Sequence, residues 1–207
     1  MLAVDHVIVA VHELDAAALR FSEEYGLASV EGGRHPGHGT GNRIVPLGDN
    51  YIELMAVVDR DEASSSPLGS WLEQRLVEVG EGPAALCLRT DDIQAAAERA
   101  GLRPLPMSRT RPDGVELTWH LVALDAALTE GLPFFIQWHV DDADHPGRAL
   151  VEHGRNPVGI DWVELGGDRD RLAAWLGPHE LPLRHSEGAA GPQRIAVAVA
   201  DGDQIMI

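Results

Sequence analysis

The chain opens on an apolar run, Ala3-Val4-Asp5-His6-Val7-Ile8-Val9-Ala10-Val11, with one polar pair set into it. That pattern suits a strand covered on one face. From Leu14 the spacing changes, and Ala18, Phe21 and Tyr25 fall on one side of a predicted helix. Gly26 supplies the left-handed residue that ends it, and Leu27 the apolar residue that folds back. Three strands are predicted next, near Ala28 to Glu31, Asn42 to Leu47 and Tyr51 to Val58. The last two are separated by Gly48-Asp49-Asn50, a turn that favours an antiparallel hairpin.

The same order returns at residues 82–140. Ala84 to Thr90 reads as a strand, and Asp91 or Asp92 can cap the helix that follows. Ile93, Ala96, Ala97 and Ala100 share one side of that helix, and Gly101-Leu102 closes it as Gly26-Leu27 closes the first. Strands follow near Leu105 to Arg109, Val115 to Val122 and Pro133 to Val140. A shorter third copy is read at 158–207: a strand over Gly159 to Leu165, a helix through Leu172, Trp175 and Leu176 ending at Gly177, then strands at Gln193 to Val197 and Gln204 to Ile207. A repeated unit of this size buries its apolar face only against a neighbouring copy. The reading is therefore an α+β protein of tandem βαβββ modules. Residues 1–146 hold modules 1–60 and 82–140, and residues 158–207 form a third βαβββ-like module. Between the first two lie a polar loop and a helix from Leu68 to Val79; residues 141–157, rich in Asp, His, Gly and Pro, read as an exposed crossing.

Composition narrows the classes. With 207 residues, 44% of them hydrophobic and 24% charged, the chain can fill a core and still dissolve. One cysteine, Cys87, excludes an internal disulfide and fits a reducing compartment. No apolar run reaches the length of a membrane span, and the first residues lack the basic start and long apolar stretch of a signal peptide. The expectation is a cytoplasmic protein with no membrane partner. A net charge of -17 argues against nucleic acid, whose phosphates it would repel.

Two tandem βαβββ units, with Asp5-His6-Val7 on the first strand and Tyr51-Ile52-Glu53-Leu54 on the fourth, resemble the vicinal-oxygen-chelate superfamily, and in particular its glyoxalase-like branch. Arg34 to Val45 and Pro133 to Trp138 are the segments most similar to that branch. The resemblance implies a cup between modules, into which the first and fourth strand of each module can donate a metal ligand. Carried over, His6 and Glu53 are the first module's ligands, suited to Fe, Mn, Zn or Ni. In the second module Ala85 stands for His6 and cannot ligate, and Gln137 stands for Glu53 with only a neutral carbonyl. The resemblance thus implies a divalent metal site with half its ligand set lost, and no other cofactor.

Glu53 carries weight independently. A carboxylate inside an apolar strand is costly if buried uncompensated, so it should face a pocket, a metal or a cation. His6 alone could equally be a core histidine. The stretch His35-Pro36-Gly37-His38-Gly39-Thr40-Gly41-Asn42-Arg43 combines glycines that let backbone approach a ligand with histidines that titrate near neutrality. It lacks the lysine and spacing of a phosphate-binding loop. Arg109, in Ser108-Arg109-Thr110-Arg111 before the Pro112-Asp113-Gly114 turn, could grip a carboxylate. Trp119 and Trp138 could line the cup or pack the core. His139 and His145, among Asp141, Asp142 and Asp144, read as solvated charge, and Cys87, in an apolar strand, as packing.

These residues predict a small-molecule cup. Glu53 and His6 are the candidate catalytic groups; His35, His38, Asn42, Arg43, Arg109, Gln137 and Trp138 are the candidate binding groups; His6, Glu53 and Gln137 are the candidate metal ligands, converging on one cavity. The function expected is that of a glyoxalase-like enzyme, of lyase, isomerase or dioxygenase type, acting on a small oxygenated anionic molecule. The alternative is a non-catalytic binder of the same fold. The apolar third module, left without a partner in the chain, predicts a homodimer; the competing arrangement packs it back onto the first two modules.

Overall fold

The computed structural model describes residues 1–111 and 114–207; the predicted turn at Pro112-Asp113 lies outside them. The first module runs β1 (Leu2–Ala10), α1 (Leu14–Tyr25), β2 (Val30–His35), β3 (Thr40–Pro46) and β4 (Tyr51–Val57). Two helices follow, α2 (Arg60–Ser64) and α3 (Pro67–Glu78). The second module runs β5 (Gly82–Thr90), α4 (Ile93–Ala100), β6 (Leu105–Thr110), β7 (Glu116–Val122), α5 (Leu124–Glu130) and β8 (Phe134–Trp138). Of these, α5 carries no clear signal in the sequence. Both module helices end as expected: Gly26 and Gly101 adopt φ of 67° and 68°, and the amides of Leu27 and Leu102 return to Phe21 and Ala97.

The two modules form one eight-stranded sheet in the order β2-β3-β4-β1-β5-β8-β7-β6. In each, the first strand lies parallel to the fourth, and β1 meets β5 antiparallel at the centre. β1 is covered on both faces, which explains its nearly continuous apolar run. On the inner face, Ile8, Ala10, Met55 and Ile136 pack under Leu68 and Leu72 of α3 and Ala127 of α5. On the outer face, Val7, Val9, Ile52, Leu54, Leu86 and Leu88 pack under Phe21 of α1 and Ala96 and Ala97 of α4.

The C-terminal segment differs from the expected third copy. It runs β9 (Pro157–Gly166), α6 (Arg169–Leu176), β10 (Leu183–His185), β11 (Gly191–Val199) and β12 (Gln204–Met206). Its strand order is β10-β9-β11-β12. The crossover through α6 sets β10 parallel and directly beside β9, with β11 antiparallel on the other side. The place next to the first strand, which the fourth strand holds in modules one and two, is therefore taken. This small sheet lies on the outer face of the large one, where Ile160, Val163, Leu165, Ile195, Val197 and Ile205 join the same core as Val7 and Leu88. The apolar surface invoked for a homodimer is thus buried within one chain, and that expectation loses its premise. Among the described residues, no helix is long and apolar enough to cross a membrane.

Candidate active site

A cavity of about 340 Å³ opens on the inner face of the large sheet. Strand pairing brings its key groups together: His6 lies beside Tyr51 and Ile8 beside Glu53 along the parallel β1–β4 ladder. A bulge between Val4 and His6 leaves Asp5 without a partner on β5 and re-aims it. Asp5 is thereby fully buried.

Asp5 anchors the site. Its Oδ1 is 2.7 Å from Nδ1 of His6, while its Oδ2 accepts from Nε1 of Trp138 at 3.0 Å and lies 3.1 Å from Nε2 of His145. Nδ1 of His145 accepts the Gly147 amide, so its Nε2 is the nitrogen that donates to Asp5. Burial alone would raise the Asp5 carboxyl, but the bonds from His145 and His6 hold it well below the usual carboxylate range. Asp5 is therefore ionised and fixes the ring of His6, which also stacks on Tyr51 with centroids 4.5 Å apart.

With Nδ1 held by Asp5, His6 turns Nε2 toward Glu53, whose Oε2 is 3.4 Å away. Glu53 is only 6% exposed. Its Oε1 accepts from Nδ2 of Asn42 at 2.6 Å and lies 3.8 Å from Nε2 of His35. Gly32 makes room for Asn42: a Cβ there would sit 2.1 Å from the asparagine Oδ1. His35 is braced through Nδ1 by Thr40 Oγ1 at 2.9 Å. Burial lowers the His35 pKa, the Glu53 charge opposing and the Arg109 and His38 charges adding to the shift. His38, held by Ser66 Oγ at 2.8 Å, and Arg109, bonded to the Gly32 carbonyl across the cup, complete this wall.

Two predicted site residues lie elsewhere. Gln137 is on the opposite face of β8, where Oε1 accepts from the Ile93 amide at 3.2 Å and Nε2 donates to the Asp91 carbonyl at 3.1 Å. It caps α4, and the cavity receives its neighbours Ile136 and Trp138 instead. The module alignment was out of step by one residue on β8, and a slip of one turns a side chain through the sheet. Arg43 likewise faces outward, donating to Ser29 Oγ at 3.0 Å and Asp15 at 3.2 Å. The glycine-rich tip is also differently employed: the Gly37 and Gly39 amides donate to the Glu62 carboxylate at 2.5 and 3.1 Å. His145, read from sequence as solvated, is buried against Asp5. Its partner lies far away in the chain, so no local pattern marks it. Cys87 is buried, and burial raises its thiol well above the ordinary value, as suits a packing role.

Asp5, His6 and Cys87 bring donor atoms within 4.8 Å of one another. Neither Asp5, committed to His6, Trp138 and His145, nor a thiol held protonated is suited to bind an ion there. Better suited in chemistry are Nε2 of His6 and Nε2 of His35, which flank the Glu53 carboxylate at 3.4 and 3.8 Å. Each imidazole has its other nitrogen held, by Asp5 or by Thr40, as ligating histidines usually do. Two imidazoles and a carboxylate fit a divalent ion, and three protein ligands are the number a catalytic ion takes. All three come from the first module. The second presents Phe134, Ile136 and Trp138.

Comparison with known proteins agrees with this architecture. The family model described as "Glyoxalase-like domain" matches residues 4–182. Among curated proteins, none matches the chain. A hypothetical protein from Staphylococcus aureus, solved by crystallography, superposes with a TM-score of 0.73 at 20% identity, covering 98% of this chain and 93% of its own. A methylmalonyl-CoA epimerase from Streptomyces coelicolor gives a TM-score of 0.47 at 21% identity, over 66% of this chain and 94% of its own. The first likeness shows the fold, C-terminal layer included; the second is too loose to bear on chemistry.

Proposed function

This chain belongs to the glyoxalase-like domain family, and from that premise we propose that its cup is the active site of an enzyme acting on a small, oxygenated, anionic organic molecule. The observation that carries the reading is Glu53, a buried carboxylate held at the cavity floor by Asn42 and facing His6. Burying such a charge is costly, and nothing in the core requires it. Glu53 acts as the base: with Oε1 occupied by Asn42, Oε2 takes a proton from a substrate carbon adjacent to a carbonyl, leaving an enolate. Asp5 holds His6 so that Nε2 stays beside that oxygen. Arg109, reaching across to the Gly32 carbonyl beside His35, meets the substrate's negative charge. Should the cup be loaded with a divalent ion, His6, Glu53 and His35 would hold it, and it would polarise the substrate's oxygens.

A second reading, a binder without catalysis, is favoured by one feature. The second module contributes no acid or base at the positions facing His6 and Glu53, only Phe134 and Ile136. The readings separate on small 2-oxo acids dissolved in D2O with protein purified without chelator. The enzyme should speed exchange of the hydrogens next to the carbonyl, and Glu53→Gln should remove most of that acceleration. Binding with no exchange above the free acid's own rate, unchanged in the variant, would establish the binder instead.

A further inference from the structure

Most of the cup's polar groups come from the first module, and its broad aromatic surface comes from the second. The polar groups His6, His35, His38, Asn42 and Glu53 stand on the first-module wall beside apolar Ile8, Ile44 and Met55; the second-module wall is Met107, Trp119, Leu121, Phe134, Ile136 and Trp138, with Ser108 and Arg109 its polar members. Trp119 and Trp138 lie against each other with centroids 5.2 Å apart, forming a broad aromatic surface. Arg109 extends from β6, on the apolar side, to the Gly32 carbonyl on β2, so a guanidinium stands where the two walls meet. Its charge is felt at both His35 and Tyr51.

A short polar acid would satisfy one wall and leave the other against water, an unfavourable arrangement for so much apolar surface. A ligand that fills the cavity must present oxygens to one side and hydrocarbon to the other. We infer that the ligand is amphipathic: a carboxylate with an adjacent carbonyl or hydroxyl, carrying an aryl or medium-length alkyl tail that lies on the Trp119–Trp138 surface. The head sits among Arg109, His35 and Glu53, and the tail along Phe134, Ile136 and Met107. This inference rests on the proposed function for its head group, and on the composition of the second-module wall alone for its tail.

Two probes with the same head isolate the tail: 2-oxopropanoate and 2-oxo-3-phenylpropanoate, their affinities measured by calorimetry on the full chain. Burying a phenyl-sized group should make the second bind about 10- to 100-fold tighter. Trp119→Ala should erase most of that difference, chiefly by weakening 2-oxo-3-phenylpropanoate. Met107→Ser, on edge strand β6, serves if Trp119→Ala does not fold, and should narrow the difference in the same direction. Equal affinities for the two probes, or a preference untouched by either variant, would overturn the tail assignment. Failure of both probes to bind would overturn the whole ligand class. Exchange measured on the same samples keeps the two ideas apart. A tail preference without Glu53-dependent exchange sinks the catalytic reading and leaves the amphipathic ligand standing; exchange without tail preference does the reverse.

Discussion

The two halves of the cup share one topology and differ in almost everything else. In the first module, β1 and β4 bring Asp5, His6 and Glu53 to the inner face, each braced by a named partner. In the second, the equivalent strands β5 and β8 bring Ala85, Cys87, Phe134 and Ile136, which need no partner. A repeat can therefore keep its ladder while one copy holds charge and the other holds hydrocarbon. The charged half needs a support that the other half does not, and much of it comes from outside its own module. Trp138 and His145 reach Asp5 from residues far along the chain. The second module gives Trp138 to this support and Arg109 and the apolar wall to the cup, while His145 comes from the segment that follows it.

The severest test of that contrast is Asp5. Asp5→Ala strands His6, His145 and Trp138 without their shared acceptor, and should cost about 3–5 kcal/mol in denaturant unfolding. The same carboxylate sets an acid limb. Its folded pKa is depressed, so its stabilisation is present above the unfolded value, roughly 3.9, and is lost as pH falls below it. Asp5→Asn should flatten that limb. An Asp5→Ala protein as stable as wild type would mean that the charged half supports itself.

Adjacent residues on β4 divide the two roles. Ile52 is fully buried on the outer face, and Ile52→Ala should cost about 2–5 kcal/mol with turnover retained in whatever remains folded. Glu53→Gln keeps the shape and should shift stability by less than about 1 kcal/mol, since the amide can still accept from Asn42. Proton exchange should nevertheless fall by at least roughly 100-fold. A loss of stability in Glu53→Gln as large as in Ile52→Ala would make Glu53 a structural residue. Gln137 sharpens the comparison from the other module. Because it caps α4, Gln137→Ala should cost about 1 kcal/mol, on the order of a lost helix cap, and leave ligand affinity unchanged. A loss of affinity without loss of stability would return Gln137 to the cup.

What was legible in the sequence follows the range of each signal. Helix ends at Gly26 and Gly101, the strand–helix order of the first module, that of the second apart from α5, and the unusual carboxylate on β4 are local patterns, and the structure contains them where expected. Gln137 is misplaced because faces alternate along a strand, so matching it to Glu53 one residue out of step sends its side chain through the sheet. Arg43 shares its segment with Asn42, yet the two point to opposite faces for the same reason. The C-terminal layer has the expected elements plus the short β10, which takes the place beside β9, since periodicity predicts a strand and not its neighbour. His145 had no signal, because its role depends on a bulge at Asp5 that no spacing announces.

The smallest effect expected is a titration. Burial depresses the His35 pKa; the nearby Glu53 carboxylate pushes it back up, and the Arg109 guanidinium pushes it further down. A histidine depressed in this way adds stability above its unfolded pKa, near 6.5, and that contribution declines as pH falls below it, because the unfolded chain then binds the proton more readily. Ring-proton NMR should show the His35 midpoint falling in Glu53→Gln and rising in Arg109→Gln. His153 supplies a control within the same spectrum. Its pKa is also lowered by burial, but its ring is held by the Pro46 carbonyl and the Ala28 amide, away from the cup, so neither variant should move it. Opposite movements of His35 against a still His153 would place a carboxylate and a guanidinium on either side of one imidazole in solution. Parallel movements, or a shift shared with His153, would mean that the variants loosen the fold generally and that the polar wall is not assembled around His35.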